Sequence, residues 1–319
     1  MVSVVMPAYN AEKYIGKAIE SIINQTYTDF ELIIIEDAST DHTLEEIKKY
    51  KDSRIRLFKN SVNRGIAFST NVGLRESKGT YIALLDDDDM AAKERLELQV
   101  QYMDTHTDID ILGGRSIAID ENDRYLRIEN EPRNNPKYMK SLLLFKRVDF
   151  RNGTTMIRTS FLRKYELYYQ EGCLGMQDYR FFIDSSKVGN ISSINKILLY
   201  SRVHESSETV RTKREKRVER AEKYFEFQKS SLQLSGYHMD DNSMYLIRKL
   251  FSEEGTVCSN YEEFKKLVNV FSILLKQARN MSADYYNELE HLCKVIIAEQ
   301  ATKMKNFTVE LFLGTSNAE

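Results

Sequence analysis

The chain has 319 residues, of which 42% are hydrophobic, so it can bury the core of one large domain or of two smaller ones. Its formal net charge of −2 gives no indication that the chain as a whole binds nucleic acid, and we expect no nucleic-acid partner. The 3 cysteines are odd in number and widely spaced, which is neither a disulfide framework nor a zinc ligand set and favours a reducing, cytoplasmic compartment.

The first residues, MVSVVMPAYN, form an apolar run with no basic region before it, which is not the pattern of a signal peptide. No run of about 18 apolar residues predicts a transmembrane helix. We therefore expect a cytoplasmic protein, with peripheral contact at the inner face of the membrane left open.

Apolar runs and helical patterns alternate over the first third of the chain. Val2 to Met6 is a strand closed by Pro7. The segment NAEKYIGKAIESIINQTY that follows has apolar side chains at helical spacing, with Asn10 as the expected N-cap. Further strands are predicted at FELIIIEDAST, RIRLFKN and Tyr81–Leu85, and further helices at DHTLEEIKKY, at residues 64–79 ending on Gly79, and from Met90 to about Thr105. This alternation indicates βαβ units and a mostly parallel sheet.

Polar clusters follow three of these strands: PAYN after the first, EDAST after the second, and Asp86 to Asp89 after the fourth. Ligands bind beyond the carboxyl ends of the strands in such sheets, so we expect the three clusters to be neighbours in space. Further along, Ile109–Gly114 and KILLYSR predict strands, and from about residue 208 the pattern is helical. We predict one domain over 1–208, with halves 1–100 and 101–208, and a helical region over 209–319.

Common phosphate-binding and metalloprotease motifs are missing from the sequence: G-x-G-x-x-G, G-x-x-x-x-G-K-[ST] and H-E-x-x-H do not occur. Sugar nucleotidyltransferases normally hold phosphates on a glycine-rich loop after the first strand, but PAYNAEKY contains no glycine. A metal ion is the obvious alternative for binding phosphate.

The four consecutive aspartates suit such an ion. On extended backbone, Asp86 and Asp88 would face one side and Asp87 and Asp89 the other. Two carboxylates on one side fit Mg²⁺ or Mn²⁺, which can bridge to a diphosphate and neutralise charge on a departing nucleotide. The competing interpretation is a helix N-terminus, which Asp89 is expected to cap, although capping needs only one residue.

Three segments of the sequence resemble the inverting family 2 glycosyltransferases of the GT-A fold: residues 2–41, residues 63–90 and GMQDY at 175–179. The resemblance implies an α/β fold with a Rossmann-like mixed, mostly parallel sheet flanked by helices, here followed by a C-terminal helical region. It also implies transfer of a sugar from a nucleotide-diphosphosugar to an acceptor hydroxyl with inversion, and a Mn²⁺ or Mg²⁺ cofactor.

The resemblance assigns nucleotide-binding roles to residues at the ends of the strands. Pro7, Ala8 and Tyr9 frame the nucleotide, and Asp37 meets the base, often the N3–H of uracil. A turn or helix cap is the competing role for Asp37. Arg64 contacts the nucleotide or its phosphates, or is a solvated loop residue.

The aspartates match the family's D-x-D motif, with Asp86 near the ribose and Asp88 on the metal. Asp87 replaces the usual small or neutral middle residue, so which pair is functional stays open, and we include Asp87 among the nucleotide-sugar-binding residues. His204 takes the place of a family histidine that reaches back to the metal, and imidazole is acceptable to Mn²⁺. A surface or packing role is the alternative for His204.

Asp178 is the expected catalytic base, which would take the proton of the acceptor hydroxyl. Gln177 stands where the family usually has glutamate, and a helix N-cap is the competing role for Asp178. Asn152 and Gly153 resemble the family's acceptor-side segment, although a plain turn would also fit.

The stretch from Arg211 to Lys229 contains eight Lys or Arg and four Glu. A solvated helix with Glu–Lys pairs is one interpretation. The other is a basic face on anionic lipid, favoured by the aromatic residues Tyr224, Phe225 and Phe227. Self-association and a cover over the acceptor site are also open.

The leading hypothesis is a metal-dependent inverting glycosyltransferase that acts on a nucleotide-sugar donor, with uridine as the best match to Asp37. Its acceptor would be a glycan or lipid-linked glycan, and the family implies a role in surface polysaccharide assembly. A sugar nucleotidyltransferase and a catalytically silent GT-A-like binding module are the alternatives.

Overall fold

The computed structural model describes residues 1–129, 134–145, 148–205, 207–251, 258–280 and 283–304. The chain forms two compact units, one of residues 1–139 and 148–220, the other of residues 140–147 and 221–319. The first unit runs to Arg220, and the domain division at residue 208 stays a prediction.

The first unit is built on a mixed sheet in which the strands follow the order β3-β2-β1-β4-β8-β6-β9-β5, with β7 paired to β6. The strands are β1 (Val2–Ala8), β2 (Phe30–Glu36), β3 (Ile55–Lys59), β4 (Tyr81–Leu84), β5 (Met90–Ala91), β6 (Ile111–Ile119), β7 (Tyr125–Glu129), β8 (Met156–Arg158) and β9 (Ile191–Arg202). Strands β1 to β4 are parallel, β8 is antiparallel to β4 and β6, and β9 is parallel to β6.

Helices connect and cover the strands of this unit. They are α1 (Ile15–Ile23), α2 (Thr43–Lys48), α3 (Ile66–Glu76), α4 (Arg95–Thr105), α5 (Pro136–Leu143), α6 (Thr159–Lys164), α7 (Gln177–Val188) and α8 (Glu208–Glu215). The last residues of α5 belong to the second unit. The predicted apolar face of α1 is confirmed, because Ile15, Ala18, Ile19 and Ile22 are all buried.

Strands β1 and β2 are buried along their whole length, as expected for central strands with helices on both faces. Pro7 does not close β1 but lies within it, opposite Ile35 of β2. The pairing between β1 and β4 ends earlier, at Val5 and Leu84. Pro7 therefore lies beyond the residues of β1 that pair with β4, so its missing N–H removes no hydrogen bond from that pairing.

Three predicted helix boundaries were wrong. Helix α1 begins at Ile15, and Asn10 instead has a φ of 53° and accepts a hydrogen bond from the Thr40 N–H at 2.8 Å. Helix α3 ends at Glu76, because Ser77 is already extended. Residues Met90–Ala91 form β5 against β9, so α4 begins only at Arg95; pairing with a distant strand outweighs the local helical pattern.

The second unit is helical, with a core rich in aromatic residues. Its helices are α9 (Arg217–Leu234), whose first turn belongs to the first unit, α10 (Asp241–Leu250), α11 (Tyr261–Ala278) and α12 (Ala283–Lys303). Phe145 packs against Phe251 and Phe271, with ring centroids 5.0 and 5.7 Å apart. Tyr224 and Phe227 are buried, so these two residues are not available to a membrane surface. Over the described residues, no helix has the length and apolar character needed to cross a membrane.

Candidate active site

The predicted convergence of the polar clusters is confirmed by hydrogen bonds between their backbones and side chains. The Asp37 N–H donates to the Ala8 carbonyl at 2.8 Å, which joins the ends of β2 and β1. The Tyr9 N–H donates to Asp87 Oδ2 at 2.9 Å, which joins the end of β1 to the aspartates. Pro7 and Ala8 are buried beside these contacts, whereas Tyr9 is exposed.

The aspartates form a turn, so the predicted alternation of their side chains was wrong. The Asp89 N–H donates to the Asp86 carbonyl at 3.3 Å, and the backbone folds back instead of staying extended. A methyl group at Gly153 would lie 3.3 Å from Asp89 Oδ2 and 3.6 Å from Asp86 Oδ2. Asp86 and Asp89, not Asp86 and Asp88, therefore share the side that faces Gly153.

Asp89 does not cap α4, which begins six residues later at Arg95. Its Oδ1 atom accepts a hydrogen bond from the Arg202 N–H at 2.7 Å, and Arg202 Nε donates to the Asp88 carbonyl at 2.9 Å. The end of β9 thus holds the aspartate turn in place. Arg202 was not among the site residues predicted from the sequence, although its position two residues before His204 was an available signal.

Asp88 and His204 are in direct contact, with Asp88 Oδ2 and His204 Nε2 2.7 Å apart. The histidine ring packs against Tyr14, at a centroid distance of 5.2 Å. A carboxylate oxygen and an imidazole nitrogen are a donor pair that suits Mn²⁺. In the described part of the chain, no group of three His, Cys, Asp or Glu side chains is arranged to hold a metal ion. The metal-binding role of these two residues stays a prediction.

Burial and the crowding of carboxylates raise the pKa of three of the four aspartates. Burial and the charges of Asp88, Asp178 and Glu208 raise the pKa of Asp86 to about 7. Burial and the charge of Asp88 also raise the pKa of Asp87 and of Asp89 well above the ordinary range. Such a cluster favours the binding of protons or of a cation.

A buried arginine lies close to the aspartates. Arg95 is fully buried and donates from Nη2 to the Leu84 carbonyl at 2.8 Å, while its Nη1 has no hydrogen-bond partner among the described residues. Burial lowers the pKa of Arg95 to about 10, and the charges of Asp86 and Asp89 oppose that shift. Arg95 therefore brings a positive charge close to two of the four carboxylates. Its place in a helical pattern gave no sign of this role.

Asp37 holds the loop after β3. Its Oδ1 atom accepts from Asn60 Nδ2 at 2.6 Å and from the Arg64 N–H at 3.0 Å, and its Oδ2 atom accepts from the Gly65 N–H at 2.8 Å. The Arg64 guanidinium lies over the Phe68 ring, 4.1 Å from its centroid. These contacts give Asp37 a structural role, and the nucleotide contacts of Asp37 and Arg64 stay predictions.

Asp178 lies in the first turn of α7, where its Oδ1 atom accepts from the Tyr179 N–H at 2.8 Å. The buried Tyr169 connects α7 to the acceptor-side segment, because its ring stacks on Phe181 of α7 at a centroid distance of 4.5 Å and its hydroxyl donates to Asn152 Oδ1 at 2.8 Å. Burial is the main cause that raises the pKa of Tyr169, and the charges of Asp178 and Asp86 raise it further. Tyr169 therefore lies within the electrostatic range of both carboxylates.

Comparison with known proteins identifies the family of this chain. The sequence model of the family described as Glycosyl transferase family 2 matches residues 3–167. The chain belongs to glycosyl transferase family 2. The resemblance drawn from the sequence is thereby confirmed.

Curated relatives of the chain are named as glycosyltransferases. An uncharacterized glycosyltransferase of Methanocaldococcus jannaschii is 41% identical over 57% of this chain and 63% of its own length. An uncharacterized glycosyltransferase of Haemophilus influenzae is 34% identical over 64% of this chain and 66% of its own length. The chain thus spans under two thirds of the length of these relatives. The Escherichia coli protein named UDP-Glc:alpha-D-GlcNAc-diphosphoundecaprenol beta-1,3-glucosyltransferase WfgD is 28% identical over 69% of this chain and 83% of its own length.

Solved structures confirm the predicted GT-A fold of this family 2 chain. One such structure is the crystal structure of residues 1–349 of S. aureus TarS with UDP-GlcNAc. The superposition covers 94% of this chain and 88% of the TarS chain, at a TM-score of 0.62. The same TarS fragment with UDP gives a TM-score of 0.60. The sequence identity is 20% in both cases, so this likeness shows the fold alone.

Proposed function

We propose that the protein is an inverting, metal-dependent glycosyltransferase that moves a sugar from a nucleotide-diphosphosugar to an acceptor hydroxyl. The observation that carries this proposal is the meeting of two acidic sites: the Asp88–His204 pair lies beside Asp86, and Asp86 is within the electrostatic range of Asp178. Family membership supports the reaction class.

In this mechanism Asp178 acts as the general base. It takes the proton of the acceptor hydroxyl while the hydroxyl oxygen attacks the anomeric carbon from the face opposite the diphosphate. A new carbon–oxygen bond forms to the acceptor, the bond from the anomeric carbon to the phosphate oxygen breaks, and the nucleoside diphosphate leaves. One displacement inverts the anomeric configuration.

Asp88 and His204 would hold the divalent cation, Mn²⁺ or Mg²⁺, and a bound cation would neutralise negative charge on the diphosphate. Asp86 would lie near the ribose, and Pro7, Ala8 and Tyr9 would frame the nucleotide. Asp87 would support that frame through its contact with the Tyr9 N–H.

We propose UDP as the nucleotide and a glycan or lipid-linked glycan as the acceptor, in the assembly of surface polysaccharide. The name of the Escherichia coli relative, which specifies UDP-Glc and a diphosphoundecaprenol-linked sugar, supports both choices. The complex of TarS with UDP-GlcNAc is consistent with UDP.

A panel of nucleotide sugars, supplied with Mn²⁺ and with or without candidate acceptors, tests the donor and the reaction class. We expect release of UDP from one UDP-sugar, stimulated by an acceptor and abolished by a chelator. Pyrophosphate formed from a nucleoside triphosphate and a sugar phosphate would identify a nucleotidyltransferase instead. Binding of the donor without turnover would identify a silent binding module.

A lipid-linked acceptor would require contact with the membrane, and the exposed basic residues Lys213, Lys216 and Arg217 offer a surface for it. We expect the protein to co-sediment with vesicles that contain anionic lipid and not with neutral vesicles. Replacement of these three residues by glutamate should abolish the difference. Equal partitioning of both proteins would overturn the membrane contact and leave the transfer reaction untouched.

A further inference from the structure

The loop that leads into α7 is held by Arg220, a buried residue in the first turn of α9. The Arg220 side chain is 1% exposed. Its Nη1 atom donates a hydrogen bond to the Leu174 carbonyl and another, at 3.1 Å, to Thr212 Oγ1 of α8. Leu174 lies three residues before Gln177, where α7 begins. The guanidinium therefore connects α8 and the start of α9 to this loop.

The backbone of the loop has an unusual shape that needs such support. Gly172, Leu174 and Gly175 have φ values of 74°, 52° and 72°. A leucine in this region is uncommon and strained, and it persists only where the surroundings hold it. A methyl group at Gly175 would lie 2.8 Å from Arg220 Nη1, so the glycine also leaves room for the guanidinium.

The loop determines where Asp178 lies. The Met176 N–H donates to the Cys173 carbonyl at 3.0 Å, and Met176 is the residue at the N-terminus of α7. Asp178 follows in the first turn of that helix. Thus a short, continuous chain of contacts runs from the guanidinium through the loop to the proposed base.

We propose that Arg220 is a positioning residue for sugar transfer, which fixes the loop over residues 172–176 and through it the carboxylate of Asp178. Residues 208–220 would then be a working part of the catalytic unit, consistent with the extent of the first compact unit. The inference rests on the proposed role of Asp178 as the base.

The test compares four full-length variants with the wild-type protein: Arg220→Met, Arg220→Lys, Thr212→Val and, as a matched control, Arg214→Met. Arg214 lies in α8, and its side chain is 65% exposed. Because misplacing a reacting group by about 1 Å can cost about 100-fold, we expect Arg220→Met to lower kcat by about 10- to 100-fold. The KM for the donor should stay within about twofold, since the donor side of the site is untouched.

The other variants sharpen the result. Arg220→Lys should lose nearly as much, because both hydrogen bonds come from the terminal Nη1 atom and the shorter lysine side chain does not bring its ammonium group to that position. Thr212→Val should cause a smaller loss in the same direction, and it decides the question if Arg220→Met does not fold. Arg214→Met should behave as wild type.

Amide hydrogen exchange supplies a readout that does not depend on activity. Exchange in peptides covering residues 172–179 should rise in Arg220→Met and not in Arg214→Met, while the melting temperature of the variant remains close to wild type. Wild-type kcat together with unchanged exchange would overturn the inference, and so would a uniform rise in exchange over the whole chain. If the wild-type protein transfers no sugar, the proposed function fails, while local exchange still reports on the contact of Arg220 with the loop.

Discussion

Asp88 Oδ2 and His204 Nε2 lie 2.7 Å apart, although 116 residues separate them in the sequence. Strand β9 makes this contact possible, because it pairs with β5 directly after the aspartate turn and delivers its end to the same place. The Arg202 N–H fixes Asp89 from the same strand end. The candidate metal site is therefore assembled from two distant segments that the sheet brings together.

Replacing Asp88 with asparagine should remove most of the Mn²⁺-dependent turnover. The change removes a charged ligand, and a bound cation is worth several kcal/mol of charge stabilisation, so we expect at least about a 100-fold loss of kcat. Asp87→Asn is the control, since an amide oxygen can still accept from the Tyr9 N–H. Loss of turnover in Asp87→Asn with activity retained in Asp88→Asn would reverse the assignment of the two residues.

Replacing Asp178 with asparagine should lower kcat by about 10²- to 10⁴-fold, because the acceptor hydroxyl loses its general base. Binding of the donor, measured by calorimetry, should be unchanged. Asp184→Asn is a matched control on the same helix, where Asp184 pairs with Arg180 near the surface. A variant of Asp178 with near-normal kcat would show that the proton leaves by another route.

Replacing Asp37 with alanine should destabilise the fold. The Asn60 side chain and the backbone N–H groups of Arg64 and Gly65 would each lose a hydrogen bond to the buried Asp37 side chain, and a hydrogen bond to a charged group contributes about 1.5–3 kcal/mol. The midpoint of urea unfolding measures this loss. Asp29→Ala, at an exposed carboxylate, serves as the control. Equal midpoints for the two variants would contradict the structural role of Asp37.

The affinity for Mn²⁺ should depend on pH near neutrality. Burial, together with the neighbouring carboxylates, raises the pKa of Asp86 to about 7. Because this pKa is higher in the folded than in the unfolded state, the cation-free protein should lose stability as the pH rises from about 4 to about 7. A cation competes with the bound proton, so its affinity should increase from about pH 6 to about pH 8.

Isotherms for Mn²⁺ binding at several pH values measure this dependence directly. In Asp86→Asn, which carries no titratable group at this position, the dependence should be weaker than in the wild-type protein. An affinity for Mn²⁺ that is the same at about pH 6 and about pH 8 would contradict the raised pKa of Asp86.

The sequence was informative wherever local pattern decides structure. The apolar face of α1 and the continuous apolar run of β2 indicate their own burial, because period and composition are local properties. The meeting of Tyr9, Asp37 and the aspartates also followed, since the carboxyl ends of adjacent parallel strands share one edge of the sheet.

Features that depend on distant strands or helices could not be read from local pattern. The aspartate turn is held by Arg202, so no local rule about alternating side chains could predict that Asp86 and Asp89 share a side. In the same way, Arg95 and Arg220 occur in ordinary charged helical patterns, and only the folded structure shows that both are buried.

The most direct test of the account is the anomeric configuration of the transferred sugar, followed by NMR during a reaction with Mn²⁺, a nucleotide sugar and an acceptor. We predict a glycoside whose anomeric configuration is opposite to that of the donor, formed by the wild-type protein and not at a comparable rate by Asp178→Asn. A product with retained configuration, or a bound donor that yields no glycoside with any acceptor, would contradict the account.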